Sequence, residues 1–240
     1  MSSRQADCEG RYSSPEDSLP EAVTVRADSS WAPAERSVLR TLRRPEDVQR
    51  FVDELPYNKE DAGETCRSPR RVLRDRTAQC FEAAVFAAAA LRFHGHRPLV
   101  LLLAAVRDEH HLLALYHERK DGGAWGAIGK SKFVGLRFRD PVFRTPRELA
   151  MSYFESYYND AAEKTLRAIS RPIDLSRRDG RDWERAEEDI WDLSEWIGLH
   201  PVQPLVTPTQ ARRLRRVEPV AFTQGLLPGL THPPRERIES

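Results

Sequence analysis

The stretch TAQCFEAAVFAAAALRFHG, Thr77 to Gly95, constrains the fold of this 240-residue chain more than any other. Its alanine content favours helix; Thr77 suits an N-cap and Gly95 a C-terminal stop. Cys80, Ala84, Ala87 and Leu91 recur at helical spacing and form one stripe. Side chains that small let a sheet approach the helix closely. The period then changes. PLVLLLAAV, Pro98 to Val106, reads as a buried strand, and HLLALYHE after the turn RDEH reads as another. AWGAI and KFVGLRFRDPVF read as two further strands, and PRELAMSYFESYYND as a helix. The expectation is an α+β fold in which a cysteine-bearing helix packs on a small antiparallel sheet.

Three regions follow from the flanks. Residues 1–30 are rich in Ser, Asp, Glu and Pro without an apolar period and read as a disordered tail. Residues 31–175 form the main domain, opening with two short helical patterns between Ala34 and Leu55 that part near Pro45. Residues 176–240 read as a helical extension and tail, in which DWERAEEDIWDLSEWIGL sets Trp183, Ala186, Ile190 and Ile197 near one helix face.

Composition excludes several classes of function. Lys and Arg total 38 against 37 Asp and Glu, so no bulk charge draws the chain to nucleic acid or an anionic membrane. The longest apolar run is far below the ~18 residues of a membrane span. Cys8, Cys66 and Cys80 are odd in number and form no CxxC pair, which suits free thiols in a reducing, cytoplasmic setting. Arg67, Arg70, Arg71, Arg74 and Arg76 precede the cysteine helix and read as solvated surface. His111 and His117 share a strand face but lie about 20 Å apart, too far for one metal. His94 and His96 have no acidic or thiol partner in sequence, so neither metal nor cofactor is expected.

AWGAIGKS, Ala124 to Ser131, matches a loose phosphate-loop pattern. A working phosphate loop leads from a strand into a helix, whose free N–H groups hold the phosphates. Here a strand pattern follows instead, so the motif reads as a turn between antiparallel strands.

Chemistry is better sought in Cys80, His111 and Asp140, which occur in that order on the helix and two strands. A helix N-terminus stabilises a thiolate. A nucleophilic thiol needs a base, and the base gains from an acid that fixes its tautomer. His110 competes with His111, but His111 directly precedes the apolar run LLALY.

TAQCFEAAVFAAAALRFHG followed by EHHLLALYH and RFRDPVF resembles the transglutaminase-like superfamily, whose papain-like core runs Cys helix, His strand, Asp strand. Gln79-Cys80 is similar to the end of the GQC at the nucleophile of animal-type members, with Ala78 in place of glycine. LPYN, AWGAIGKS, RFRDPV, RELAMSYFESYYN and KTLRAIS resemble an uncharacterised bacterial branch, and the likeness covers Ser37 to Leu175. The resemblance implies Cys80 as nucleophile, His111 as general base and acid, and Asp140 as orienting carboxylate. The interval from His111 to Asp140 is longer than in many members, AWGAIGKS filling it as an extra hairpin. The oxyanion hole would combine the Cys80 N–H with either the Gln79 side chain or the Trp125 indole. The implied activity is hydrolysis or acyl transfer on a protein, peptide or small amide through a Cys80 thioester. CFE also resembles the arylamine acetyltransferases. A non-catalytic binding or scaffold module on the same fold is the alternative.

Overall fold

The structure is a computed structural model and describes residues 30–61, 63–119 and 122–228. The tail expected over residues 1–30 lies outside them, apart from Ser30. Helices α1 (Pro33–Thr41) and α2 (Pro45–Glu54) both begin on proline, where a missing N–H costs nothing. Glu35 and Asp47 accept hydrogen bonds from the backbone N–H groups just ahead of each helix, at 2.6 and 3.2 Å. Helix α3 (Pro69–Asp75) is capped by the Ser68 hydroxyl, which accepts from the Arg71 N–H.

Helix α4 (Cys80–Phe93) starts later than Thr77 suggests. The Thr77 hydroxyl donates instead to the Pro56 carbonyl. Gln79 is the N-cap: its Oε1 accepts from the Phe81 N–H at 2.6 Å, while the Glu82 carboxylate accepts from the Gln79 N–H at 3.0 Å. This reciprocal pairing satisfies two otherwise orphaned donors and makes Cys80 the first helical residue. The helix stops at Gly95, whose φ of +93° carries no Cβ penalty in glycine.

The strands are β1 (Leu99–Ala105), β2 (His111–Glu118), β3 (Ala124–Ile128) and β4 (Arg139–Phe143). After α5 (Pro146–Met151) come β5 (Leu166–Ser170) and β6 (Ile173–Asp174), then α6 (Trp191–Gly198), β7 (Val202–Pro204), α7 (Pro208–Arg212) and α8 (Pro219–Gln224). The sheet is antiparallel, in the order β4-β3-β2-β1-β5-β7, with β6 also pairing β1.

Alternation along the central strands sorts their side chains onto two faces. Val100, Leu102, Leu112 and Ala114 meet the alanines of α4; Leu101, Leu103, Leu113 and Leu115 meet Tyr153, Tyr157 and Tyr158. Ala84, Ala87 and Ala88 are fully buried, which is how the helix comes so near the sheet. Ala87→Leu would overpack this contact at a cost of about 1–3 kcal/mol.

Residues beyond 175 return to both cores. Trp183, Ile190 and Ile197 pack with α4, and Leu205, Val217 and Phe222 join the opposite face. DWERAEEDIWDLSEWIGL is helical only over α6. Tertiary bonds hold its first half elsewhere: the Ile190 N–H donates to the Cys66 carbonyl at 2.7 Å, and the Asp189 carboxylate accepts from the Cys66 N–H. KFVGLRFRDPVF is likewise not one strand. It forms a 3-10 turn at Val134–Leu136 before β4, with Gly135 pressed against Ser156 where a Cβ would clash. PRELAMSYFESYYND splits into α5 and a 3-10 turn at Phe154–Ser156.

The arginine cluster is not simply solvated, because acidic residues from three regions engage it. Arg67 pairs with Asp75 and the fully buried Glu82, Arg70 with Glu35, and Arg71 with Asp189 at 2.6 Å. Arg74 pairs with Asp75 and Glu187, and Arg76 lies over the Phe51 ring. The cluster ties α3 to the segment after residue 180. No helix among the described residues is long and apolar enough to cross a membrane.

Candidate functional site

Helix α4 begins at the edge of a cleft of about 450 Å³, and β2 begins at the same place. Cys80 and His111 both line it. The Leu112 and Phe81 backbone N–H groups lie close enough to the Cys80 sulfur to favour its charged form, which sets the thiol near the residue next to His111.

His111 is 4% exposed, and its Nε2 lies 3.1 Å from the Leu136 carbonyl oxygen. A carbonyl only accepts, so Nε2 carries the proton and Nδ1 is the basic nitrogen. Burial lowers the His111 pKa to about 4, against a smaller upward push from that hydrogen bond. Burial, with the Glu109 carboxylate, pushes the Cys80 thiol up to about 12; the Leu112 and Phe81 N–H groups oppose this but are outweighed. Cys80 stays partly exposed as a residue, yet the protein around its sulfur removes enough water to disfavour the thiolate. At neutral pH both groups are therefore uncharged. His110 also borders the cleft but is exposed, with Nδ1 accepting from the Ala105 N–H.

Asp140 is exposed on β4 and is not brought to His111. Arg139 stands opposite Ala127, and Ala127 opposite Leu115. That register puts Asp140 about 15 Å along and roughly 10 Å across the sheet from His111. The position beside the imidazole belongs to Gly129. A Cβ built there would sit 3.5 Å from His111 Nε2 and 3.2 Å from the Leu136 oxygen. Where a carboxylate could reach the ring, the chain has no side chain, and a backbone carbonyl takes the contact.

Neither expected oxyanion donor faces the thiol. The Gln79 oxygen is committed to capping α4, and its Nε2 is 3.5 Å from the Thr65 carbonyl. Trp125 pairs with His117 six residues along β2 from His111, and the two rings meet edge-on at 4.8 Å. The Cys80 N–H, first of its helix, has no acceptor within the helix.

The phosphate-loop look-alike has a structural use. Gly129 exchanges two hydrogen bonds with the Gln49 side chain, at 3.0 and 3.1 Å. The buried Lys130 ammonium donates to the Val52 and Leu55 carbonyls at the C-terminus of α2, at 2.8 and 2.6 Å. The Ser131 hydroxyl accepts from the Phe133 N–H. GKS docks a helix against the sheet and holds no helix N-terminus to a phosphate.

Sequence reading missed Tyr57, Tyr157, Glu109 and the Leu136 carbonyl at this cleft. Glycine and backbone carbonyls carry no chemical signature in sequence, and LPYN marked only a loop. Among the described residues no cluster of His, Cys, Asp and Glu is arranged to hold a metal ion. No family model matches the chain, and no curated protein is significantly similar to it.

Proposed function

We propose that the chain is a cysteine-dependent hydrolase or acyltransferase of the transglutaminase-like type, acting on an amide through a thioester on Cys80. The observation that carries the reading is the shared cleft: a thiol on the first residue of α4 lines it together with a buried histidine whose Nε2 is held by a carbonyl, which leaves Nδ1 as the basic nitrogen.

The resting pair is thiol and neutral imidazole, so the base acts during attack. As the sulfur bonds to the carbonyl carbon, the thiol proton passes to His111 Nδ1 and the carbonyl oxygen gains the negative charge. Collapse breaks the carbon–nitrogen bond, and the imidazolium returns its proton to the leaving amine. Water, deprotonated by His111, then releases an acid, or an amine takes the acyl group. The Leu136 carbonyl holds the ring and accepts from Nε2–H, but it stabilises the imidazolium less than a carboxylate would.

That weakness favours one second reading, a binding module on the same frame, because Gly129 leaves the acid position empty of a side chain. Acylation of the whole chain by p-nitrophenyl acetate, located by mass spectrometry, separates the two. The enzyme reading expects acetyl on Cys80 with a rate that falls about 100-fold or more in His111→Ala. No acetyl on Cys80, or an equal rate in His111→Ala, would favour the binding module.

A further inference from the structure

Nucleophilic attack places negative charge on the substrate oxygen, and the site so far offers one donor for it, the Cys80 N–H. Three tyrosines line the cleft. The Tyr157 hydroxyl donates to the Glu109 carbonyl at 2.7 Å, and the Tyr158 hydroxyl to the Ala221 carbonyl at 3.0 Å. The Tyr57 hydroxyl has no protein partner among the described residues. Among the other polar groups at the cleft, Asn159 Nδ2 binds the Arg107 carbonyl and Glu163, Arg107 Nε pairs with Glu163, and Lys132 Nζ lies over the Phe133 ring.

Tyr57 is also held in place. Its backbone forms a parallel bridge with Ala78, two residues before Cys80. The Asn58 N–H donates to the Ala78 carbonyl, and the Ala78 N–H to the Pro56 carbonyl, at 3.1 and 3.3 Å. The loop 56–58 is thereby registered against the chain entering α4, and the Tyr57 ring shares the cleft with the thiol. Burial above all raises the phenol's pKa well above its ordinary value, so the group keeps its proton.

We propose that the Tyr57 hydroxyl is the second oxyanion donor of the Cys80 site, acting with the Cys80 backbone N–H. This inference rests on Cys80 being the nucleophile. A phenol that stays neutral loses no proton to the developing oxyanion and can donate to it in a desolvated cleft, where such bonds are strongest.

Two reagents on the full chain test it. p-Nitrophenyl acetate acylates Cys80 through a tetrahedral oxyanion, whereas iodoacetamide alkylates the same sulfur at a saturated carbon with loss of iodide and no oxyanion. Tyr57→Phe is expected to slow acylation about 100-fold while leaving alkylation within about twofold. Unchanged acylation would overturn the assignment, and so would an equal fall in both reactions, which marks a structural role. A wild-type chain that is alkylated but never acylated at Cys80 would instead defeat the nucleophile reading, and this inference with it.

Discussion

The two ends of β2 each carry a histidine, and they differ in what the fold brings to them. At one end His111 is buried, bonded to a backbone carbonyl, and shares a cleft with the start of α4. At the other, His117 is half-buried against Trp125 and Gly123, with no thiol beside it among the described residues. Both imidazoles lose basicity to burial, but only His111 is driven as low as about 4. The residue type is the same; burial and the neighbouring helix start make the difference. The role proposed for His111 depends on a helix N-terminus and a strand start meeting at one edge of the sheet.

The sharpest way to break the comparison is to remove each ring in turn. His111→Ala should lower the Cys80 acylation rate by about 100-fold or more, and His117→Ala should leave it unchanged. Equal effects, read by mass spectrometry of the acetylated chain, would dissolve the distinction.

Acid stability should follow the same division. The folded His111 pKa lies below its unfolded value of about 6.5. Its contribution is therefore fully present above pH ~6.5 and is lost as pH falls toward 4, because only the unfolded chain takes up the proton there. The loss should reach about 3 kcal/mol in urea denaturation between pH 7 and 4. His111→Gln should flatten that slope, while His117→Gln should barely alter it.

Much of this was legible in the sequence, for reasons that also explain the failures. The alanine run and the two apolar strands follow from periodicity, whereas the pairing of Cys80 with His111 was implied by their order along the chain and by the superfamily resemblance. Asp140 misled because it closes a strand pattern and follows Cys80 and His111 in the order that the superfamily resemblance implies, and only the β2–β3–β4 register shows it to be far away. Trp183, Ile190 and Ile197, expected with Ala186 near one helix face, are buried, and Ala186 is partly so, although the helix was drawn too long; burial depends on the apolar residue while helix length yielded to bonds from Cys66. The arginines looked solvated because their partners, Glu35, Asp189 and Glu187, are remote in sequence.

Restoring the missing acid sharpens the account. Gly129→Asp places a carboxylate near His111 and should raise the pH at which acylation switches on by more than about one unit. Its Cβ would crowd Leu113 at 2.7 Å and the Leu136 oxygen at 3.2 Å, so a stability cost of about 1–3 kcal/mol should accompany the shift. A pH–rate profile and a urea melt on the same variant separate the two effects. The smallest effect belongs to the far end: Trp125→Phe should leave Cys80 acylation within about twofold of wild type, against the large loss expected from removing a true oxyanion donor.

The central claim is that Cys80 and His111 work as an uncharged pair in one cleft. Its most direct test is the rate of Cys80 acylation by p-nitrophenyl acetate from pH 3 to 9, in the wild type and in His111→Ala. The wild-type rate should rise through about pH 4 and then stay level through neutrality, with that level lost in His111→Ala. A rate that climbs about tenfold per pH unit across neutrality in both proteins, as an unassisted thiol does, would contradict it.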